Sequence, residues 1–210
     1  MKVRIRYSKQ AALKFTGALD IQAVWQRSLR RADLSVEYSQ GFHPQPKIDL
    51  PFPLPLGFTA TNEIIDISFK GDYLLETIRT KLGDSLPAGI EIDKIEQIDS
   101  QVRSVASKAI YADYLLTISS SSQINCDQLR ELIDDLLARA EIIRERNKKQ
   151  YNLRPLILSI GIVEDEVARL LHMRLTAQPS MTGRPDEVAK ELGLDLTDCD
   201  IKRLGVHFDE

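Results

Sequence analysis

The spacing of apolar residues changes in a definite order along the first half of the chain, and this order constrains the fold most. Val3, Ile5 and Tyr7 alternate with charged residues, which predicts a strand with one buried face. Apolar residues at helical spacing follow Asp20, the expected N-cap. Further strands are predicted at 36–38, 64–69 and 90–95, and a second helix at 72–82. The order over residues 1–98 is therefore β-α-β-β-α-β, which is typical of a ferredoxin-like unit.

The second half of the sequence repeats this order less clearly. Strands are predicted at 111–118, 142–146, 170–176 and 201–208, and helices at 126–140 and after Gly183. Residues 154–163 fit either a strand or a short helix. We therefore predict an α+β fold with two tandem ferredoxin-like βαββαβ units and antiparallel sheets. The N-terminal unit spans 1–98, a polar linker spans 99–108, and the C-terminal α+β unit spans 109–210.

Composition excludes several classes of protein. No apolar run approaches the roughly 20 residues of a membrane-spanning helix. The N-terminus lacks the apolar block of a signal peptide, so we expect a cytoplasmic protein without membrane contact. Cys126 and Cys199 are the only cysteines, too few for a disulfide framework or for an iron–sulfur cluster. No glycine-rich phosphate loop or zinc-type Cys/His spacing is present, so we expect no cofactor and no metal.

Basic residues are concentrated near the start of the sequence. Residues 1–50 contain nine Lys/Arg and four Asp/Glu, whereas the rest contains 19 and 27. This asymmetry predicts a basic face on the N-terminal unit, although surface charge also varies by chance. Arg4 and Arg6 should lie on one strand face, joined by Lys2.

The segment from Gln40 to Lys47 is the best candidate for a binding loop. Its prolines, and those at positions 51, 53 and 55, disfavour a central strand and predict a rigid irregular segment. Gly41 permits close backbone approach, Phe42 and His43 have faces for stacking, and Lys47 can contact a phosphate. The alternative is that Phe42 fills the core while the prolines only stiffen a crossing loop.

Four more arginines are candidate binding residues. Arg30 and Arg31 lie near the end of the first helix, where they can bind a ligand or only complement the helix dipole. Arg154 and Arg184 each precede a proline and either point into one cleft or bond carbonyl oxygens.

Three other polar residues have structural explanations. His172 and His207 lie in alternating strands, which favours structural roles over catalysis. Asp20 could be a catalytic carboxylate at a loop-to-helix junction, but its role as a cap already explains it.

The sequence resembles the radical SAM-linked domain family, a bacterial family of unknown function. The resemblance rests on Tyr38-Ser39-Gln40-Gly41-Phe42-His43-Pro44-Gln45-Pro46-Lys47, with further agreement at 19–20, 25, 30–32, 53–57, 153–157 and 183–188. It implies a radical SAM protein as partner, with genes for a ribonuclease and ribosomal proteins often nearby. It implies no established activity. Gly17-Ala18 stands where the family pattern has Ser-His, so any proton transfer by that histidine is absent here.

These observations favour a non-catalytic accessory protein of a radical SAM enzyme that binds RNA or a ribosome-linked substrate. The alternative is an RNA-processing or RNA-modifying enzyme on the same scaffold, with His43 or Asp20 as acid or base. Such chemistry requires a second polar group within hydrogen-bond reach. A third possibility is a scaffold that stabilises its partner without touching substrate, which predicts an exposed apolar patch and no basic groove.

Overall fold

Strands pair within each of two parts of the chain in the computed structural model. The structure describes residues 1–101, 104–119, 122, 124–146, 148–163 and 169–209. Contacts divide the chain into two units, Met1–Ala106 and Ser107–Glu210. One strand ends at Ile98 and the next begins at Ala109; residues 102 and 103 of the predicted linker lie outside the described residues.

The first unit has the predicted ferredoxin-like order. Its strands are β1 (Lys2–Lys9), β2 (Ile48–Asp49), β3 (Phe58–Ser68) and β4 (Ile90–Ile98), and its helices are α1 (Ala18–Arg31) and α2 (Leu75–Gly83). The first strand, β1, lies between β3 and β4 and is antiparallel to both, and β2 pairs with β3. The resulting order, β4-β1-β3-β2, puts the first strand inside the sheet.

One face of this sheet carries the core of the unit. Val3, Ile5 and Tyr7 are buried, whereas the alternate residues of β1 that precede them are partly exposed. Trp25 of α1 packs edge-on against Tyr7, with ring centroids 5.0 Å apart. Buried residues of both helices complete this cluster. Lys2, Arg4 and Arg6 therefore lie on the opposite face.

Two details of the first unit differ from the predictions. Residues 36–38 do not form a strand; they contribute only the isolated bridges Val36–Phe69 and Tyr38–Pro46. The second strand is instead Ile48–Asp49, and it is short because the flanking prolines have no amide hydrogen for a ladder.

The first helix also begins earlier than predicted. Gly17, not Asp20, is its N-cap, and Asp20 lies three residues into the helix. The Asp20 carboxylate accepts a hydrogen bond from the Gly17 amide at 3.1 Å, which satisfies a backbone donor at the helix start. Asp20 thus has a capping role from a different position.

The second unit repeats the same strand arrangement around a longer connection. Its strands are β5 (Ala109–Ile118), β6 (Ile143–Arg146), β7 (Lys149–Asn152), β8 (Ile157–Val163), β9 (Arg169–Gln178), β10 (Met181–Thr182) and β11 (Cys199–Phe208). Its helices are α3 (Cys126–Ala138) and α4 (Pro185–Glu191). The sheet order is β11-β5-β9-β8. The first strand of the unit, β5, therefore lies between β9 and β11, just as β1 lies between β3 and β4 in the first unit. The prediction of tandem ferredoxin-like units with antiparallel sheets is confirmed.

Local sequence explains the helices of the second unit and the element left undecided. Asn125 and Gln128 form a reciprocal capping box at the start of α3, with hydrogen bonds of 2.9 and 3.0 Å. Pro185 occupies the first turn of α4, where its missing amide hydrogen costs nothing.

The segment 154–163 is a short 3-10 helix followed by a strand. The hairpin β6–β7 inserts between α3 and β8, and β7 and β10 were not predicted. No helix in the described part of the chain has the length and apolar character to cross a membrane.

The core assignment predicts different effects for two leucines at opposite ends of α2. Leu82 is completely buried and Leu74 is exposed at the helix start. Leu82→Ala should lower the free energy of unfolding of the first unit by about 2–5 kcal/mol, because it removes buried methyl groups and leaves a cavity. Urea unfolding followed by the fluorescence of Trp25, the single tryptophan, measures this. Leu74→Ala is the matched control, with a change within about 0.5 kcal/mol. Equal effects of both changes would contradict this assignment of the core.

Candidate functional site

The predicted binding loop is a braced hairpin, residues 37–47. Tyr38 and Pro46 form a β-bridge, and the Ser39 amide donates to the Gln45 carbonyl oxygen at 2.8 Å. The Gln45 amide in turn donates to the Ser39 hydroxyl oxygen at 2.9 Å. At the base, Lys47 pairs with the Glu37 carboxylate at 2.8 Å. These contacts fix the two arms and leave residues 40–44 as a projecting tip.

The tip presents an aromatic ring to solvent. Phe42 is 102% exposed, so it does not fill the core. His43 beside it is exposed, and no hydrogen bond or ion pair to it exists among the described residues. Gly41 has a φ of +130°, a conformation in which a larger residue would be strained. The hairpin therefore holds Phe42 outward on a defined backbone.

A cavity of about 350 Å³ lies beside the hairpin. Tyr38 and Pro46 line it from the hairpin, Arg30 from α1, and Lys70 from the segment after β3. Within the described residues neither the Arg30 nor the Lys70 side chain has an ion-pair partner. Asp33 adds one negative charge to the lining. The structure thus brings Arg30 and the hairpin together, two features that the sequence suggested separately.

The predicted basic strand face is largely neutralised by a buried carboxylate. Arg4 forms two hydrogen bonds of 2.8 Å to Asp66, whose side chain is 0% exposed, against 13% for Arg4. The hydrogen bond to Asp66 raises the pKa of Arg4 although burial opposes it. Arg6 donates to the Asn62 side-chain oxygen at 3.2 Å. These arginines therefore hold strands together in the sheet instead of forming an open basic surface.

Three other candidate arginines make internal contacts. Arg31 bonds the Ser85 carbonyl oxygen and, at 3.4 Å, the Ser28 hydroxyl. Arg154 donates twice to the carbonyl oxygen of Leu137 near the end of α3, at 3.1 and 2.9 Å. Arg184 forms a two-point pair with Asp186, at 2.9 and 3.0 Å. Arg154 therefore bonds carbonyl oxygens, as the second alternative has it, whereas Arg184 pairs with the carboxylate of its neighbour Asp186.

Sequence reasoning missed a polar cluster on the sheet of the second unit. Asp113 of β5 forms hydrogen bonds of 2.9 and 3.1 Å to Arg174 of β9. The Nε2 atoms of His172 and His207 lie 3.3 and 2.9 Å from its two oxygens. Tyr111 stacks on His207, with ring centroids 4.4 Å apart. We call these five residues the Asp113 cluster.

The charge of Asp113 is stabilised by its neighbours. Burial alone raises the pKa of Asp113, but the hydrogen bond and charge of Arg174, and then the charges of His172 and His207, outweigh it. The net result is a pKa below the ordinary value of 3.8. The carboxylate thus remains ionised and acts as the anchor of the cluster.

A weak sequence signal for this cluster existed. Polar residues alternate with apolar ones at 111–114 and again at 171–174, which indicates two strands with one polar face each. Nothing local specifies that Asp113 lies opposite Arg174, because strand register depends on contacts distant in sequence.

The cysteines and the metal-type ligands of the described residues show no clustered arrangement. Cys126 and Cys199 are free thiols, and burial, followed by nearby carboxylates, raises the pKa of Cys199 to about 11. Such a thiol is a poor nucleophile near neutral pH. Across the described residues, no three His, Cys, Asp or Glu side chains are placed to hold one metal ion.

Comparison with known proteins identifies a family and a fold. The family described as "Uncharacterized protein conserved in bacteria (DUF2344)" matches residues 2–185. This confirms the predicted bacterial family of unknown function, while the predicted radical SAM association stays a prediction. No curated protein gave a significant match.

Two complexes are among the solved structures that share the fold. One is a Cbf5-Nop10-Gar1 complex, with a TM-score of 0.53 and 11% identity over 97% of this chain and 48% of that one. The other is the archaeal box H/ACA sRNP Nop10-Cbf5 complex, with a TM-score of 0.50 and 12% identity over 99% and 49%. The chain spans about half the length of these matched chains, and at this identity the likeness shows the fold alone.

The anchoring role of Asp113 predicts a pH-dependent loss of stability. Asp113→Asn should lower the free energy of unfolding by about 1–2 kcal/mol near pH 7, since it leaves the partly exposed Arg174 without its anion. The lowered pKa means that the carboxylate stabilises the folded chain fully above its unfolded-state pKa of about 3.9. That contribution is lost as the pH falls toward the lower folded-state pKa.

Urea unfolding by circular dichroism between pH 7 and pH 3 tests this. The difference between wild type and variant should shrink below about pH 4. Asp134→Asn, an exposed carboxylate on α3, is the control and should cause little change at any pH. A difference for Asp113→Asn that stays constant across this range would contradict the anchoring role.

Proposed function

The chain belongs to the uncharacterised bacterial family DUF2344, and we propose that it is a non-catalytic accessory protein that binds single-stranded RNA through the hairpin at residues 37–47. The observation that carries the proposal is the complete exposure of Phe42 at the tip of a braced hairpin. The partner that it assists is a radical SAM protein, as the sequence resemblance implies.

An exposed ring on a fixed backbone suits base stacking. Every base has a π-face, and stacking on an aromatic side chain contributes about 1–3 kcal/mol per base without sequence preference. The Glu37–Lys47 pair and the Ser39–Gln45 hydrogen bonds order the arms before any ligand arrives. Binding then costs less conformational entropy than it would for a disordered loop.

Cations beside the hairpin supply phosphate contacts. Arg30 and Lys70 line the adjacent cavity, and among the described residues no carboxylate pairs with either side chain. A strand whose base stacks on Phe42 can place neighbouring phosphates near these two charges. Such contacts give affinity without reading sequence.

RNA is the nucleic acid to test first. One structure with the same fold belongs to a box H/ACA sRNP, an RNA–protein particle. That likeness concerns the fold, and it supports the choice of probe only. The radical SAM partner is supported by the sequence resemblance, and recovery of such a protein with the tagged chain from native lysate tests it.

The alternative of an RNA-modifying enzyme with His43 or Asp20 as acid or base has less support. In the described part of the chain no second polar group contacts His43, so nothing there orients or activates its imidazole. Asp20 is exposed, and its carboxylate accepts a hydrogen bond from the Gly17 amide at the start of α1. These positions favour binding over proton transfer.

Removal of the Phe42 ring should weaken RNA binding without affecting folding. Phe42→Ala is expected to raise the dissociation constant for a labelled single-stranded RNA about tenfold, because one stacking contact is lost. Fluorescence anisotropy measures this, and the melting temperature should stay unchanged because Phe42 makes no core contact. Phe15→Ala is the matched control, an exposed phenylalanine outside the hairpin. Wild-type affinity of Phe42→Ala would refute hairpin binding.

Loss of the two cavity cations should change the salt dependence of binding. The double variant Arg30→Ala/Lys70→Ala is expected to reduce the slope of log K against log salt concentration by about 1.4, since each phosphate contact to a single strand contributes about 0.7. Anisotropy titrations between about 50 and 200 mM salt, where phosphate contacts change the affinity strongly, measure it. Lys190→Ala, an exposed lysine of the second unit, should leave the slope as in wild type. An unchanged slope in the double variant would remove these side chains from the site.

A further inference from the structure

The second unit has a polar, partly exposed sheet face opposite its apolar core. Ala112, Leu116 and Ile118 of β5 are buried, together with the residues of β9 on the same face. Tyr111 and Asp113 lie on the alternate face, where β9 contributes His172 and Arg174, and β11 contributes Lys202 and His207. This face therefore carries rings and cations where the other carries the core.

Three planar groups on this face form an ordered stack. The Arg174 guanidinium lies 4.3 Å from the centre of the Tyr111 ring, and His207 is stacked at an interplanar angle of 19°. Because β9 and β11 flank β5 on opposite sides, Arg174 and His207 reach Tyr111 from opposite neighbouring strands. Both side chains remain partly exposed, His207 by 47% and Arg174 by 40%.

Asp113 fixes both ends of this stack from below. Its carboxylate contacts both Arg174 and His207. The planes of the guanidinium and of the imidazole are therefore already ordered before a ligand arrives. A planar surface held in advance reduces the entropic cost of stacking. Surface arginines and histidines without such an anchor change rotamer freely.

Donors and space remain for an anionic ligand. Nη1 of Arg174 and the ammonium of Lys202 have no hydrogen-bond partner within the described residues. The charge of Asp113 is compensated inside the cluster, so these groups present positive charge outward. On the neighbouring strand β8 a side chain at Gly161 would meet no described atom within 4 Å, which leaves the approach open.

We propose that the Asp113 cluster is a second RNA-binding site, where a base stacks on the exposed face of His207 or Arg174 and a phosphate contacts Arg174 and Lys202. In the RRM, aromatic rings on one face of a four-stranded sheet stack on bases of single-stranded RNA in this way. The inference rests on the proposed RNA binding, but it assigns a separate surface to a different unit.

The three histidines of the chain distinguish the two sites in one experiment. His43 lies in the hairpin, and His172 and His207 lie in the cluster. The full chain labelled with ¹³C-histidine is titrated at constant pH with a single-stranded oligouridylate, and separately with uridine 5′-monophosphate. His→Gln variants assign the imidazole signals. Saturable movement of the His172 and His207 signals is expected with both probes.

The possible results separate the two proposals. Movement of the His43 signal alone would overturn the cluster site and leave hairpin binding intact. Movement of the cluster signals alone would support the cluster site and refute the hairpin. No movement of any signal would overturn both.

Two variants test the chemistry of the cluster site. His207→Leu keeps apolar bulk but removes the ring, and Arg174→Lys keeps the charge but removes the planar guanidinium. Each should weaken binding, followed at the His172 signal, about tenfold. Unchanged amide hydrogen exchange in β5 shows that a variant is folded. Wild-type affinity in both variants would overturn the stacking site.

Discussion

The sheet of each unit depends on one strand pairing, β1 with β3 in the first unit and β5 with β9 in the second. An arginine–aspartate pair joins the two strands in each case. In the first unit Arg4 of β1 lies opposite Asp66 of β3. In the second unit the polarity is reversed, with Asp113 of β5 opposite Arg174 of β9. A slip of one residue would move each charged partner to the apolar face, where an unpaired ion costs several kcal/mol. The pairs thus favour the observed register over its nearest alternatives, and everything on either face depends on that register.

The two arginine–aspartate pairs have different consequences because they differ in their exposure to solvent. Asp66 and Arg4 are almost fully buried, and their charges neutralise each other between the two strands. Arg174 remains partly exposed above a buried Asp113, and so its guanidinium plane stays available on the surface. Because solvent screens a partly exposed pair, the second pair contributes a modest stability, about 1–2 kcal/mol with its hydrogen bonds included. Beyond that contribution, the second pair orients side chains on the surface.

Local sequence was sufficient for the element order and insufficient for everything that depends on register. The alternation at Val3, Ile5 and Tyr7 and the helical spacing around Trp25 are each visible within a few residues, and they led to the correct fold. The second strand was misplaced because the prolines around Ile48 obscured a ladder of two residues. Phe42 was recognised because its surroundings are unusual in composition. The Asp113 cluster was overlooked because its members come from three strands whose neighbours are set by tertiary pairing.

The hydrogen-bonding capacity of Asp113 argues for recognition at this site over proton transfer. A carboxylate has about four acceptor positions. Arg174 occupies one on each oxygen, and the Nε2 atoms of His172 and His207 lie at the other two. A general base needs a lone pair directed at its substrate and a pKa near the working pH. Asp113 has neither, since its oxygens are surrounded by protein and its pKa is lowered further by those neighbours. Its contribution is to hold aromatic and cationic planes in place, which is what a surface that binds bases requires.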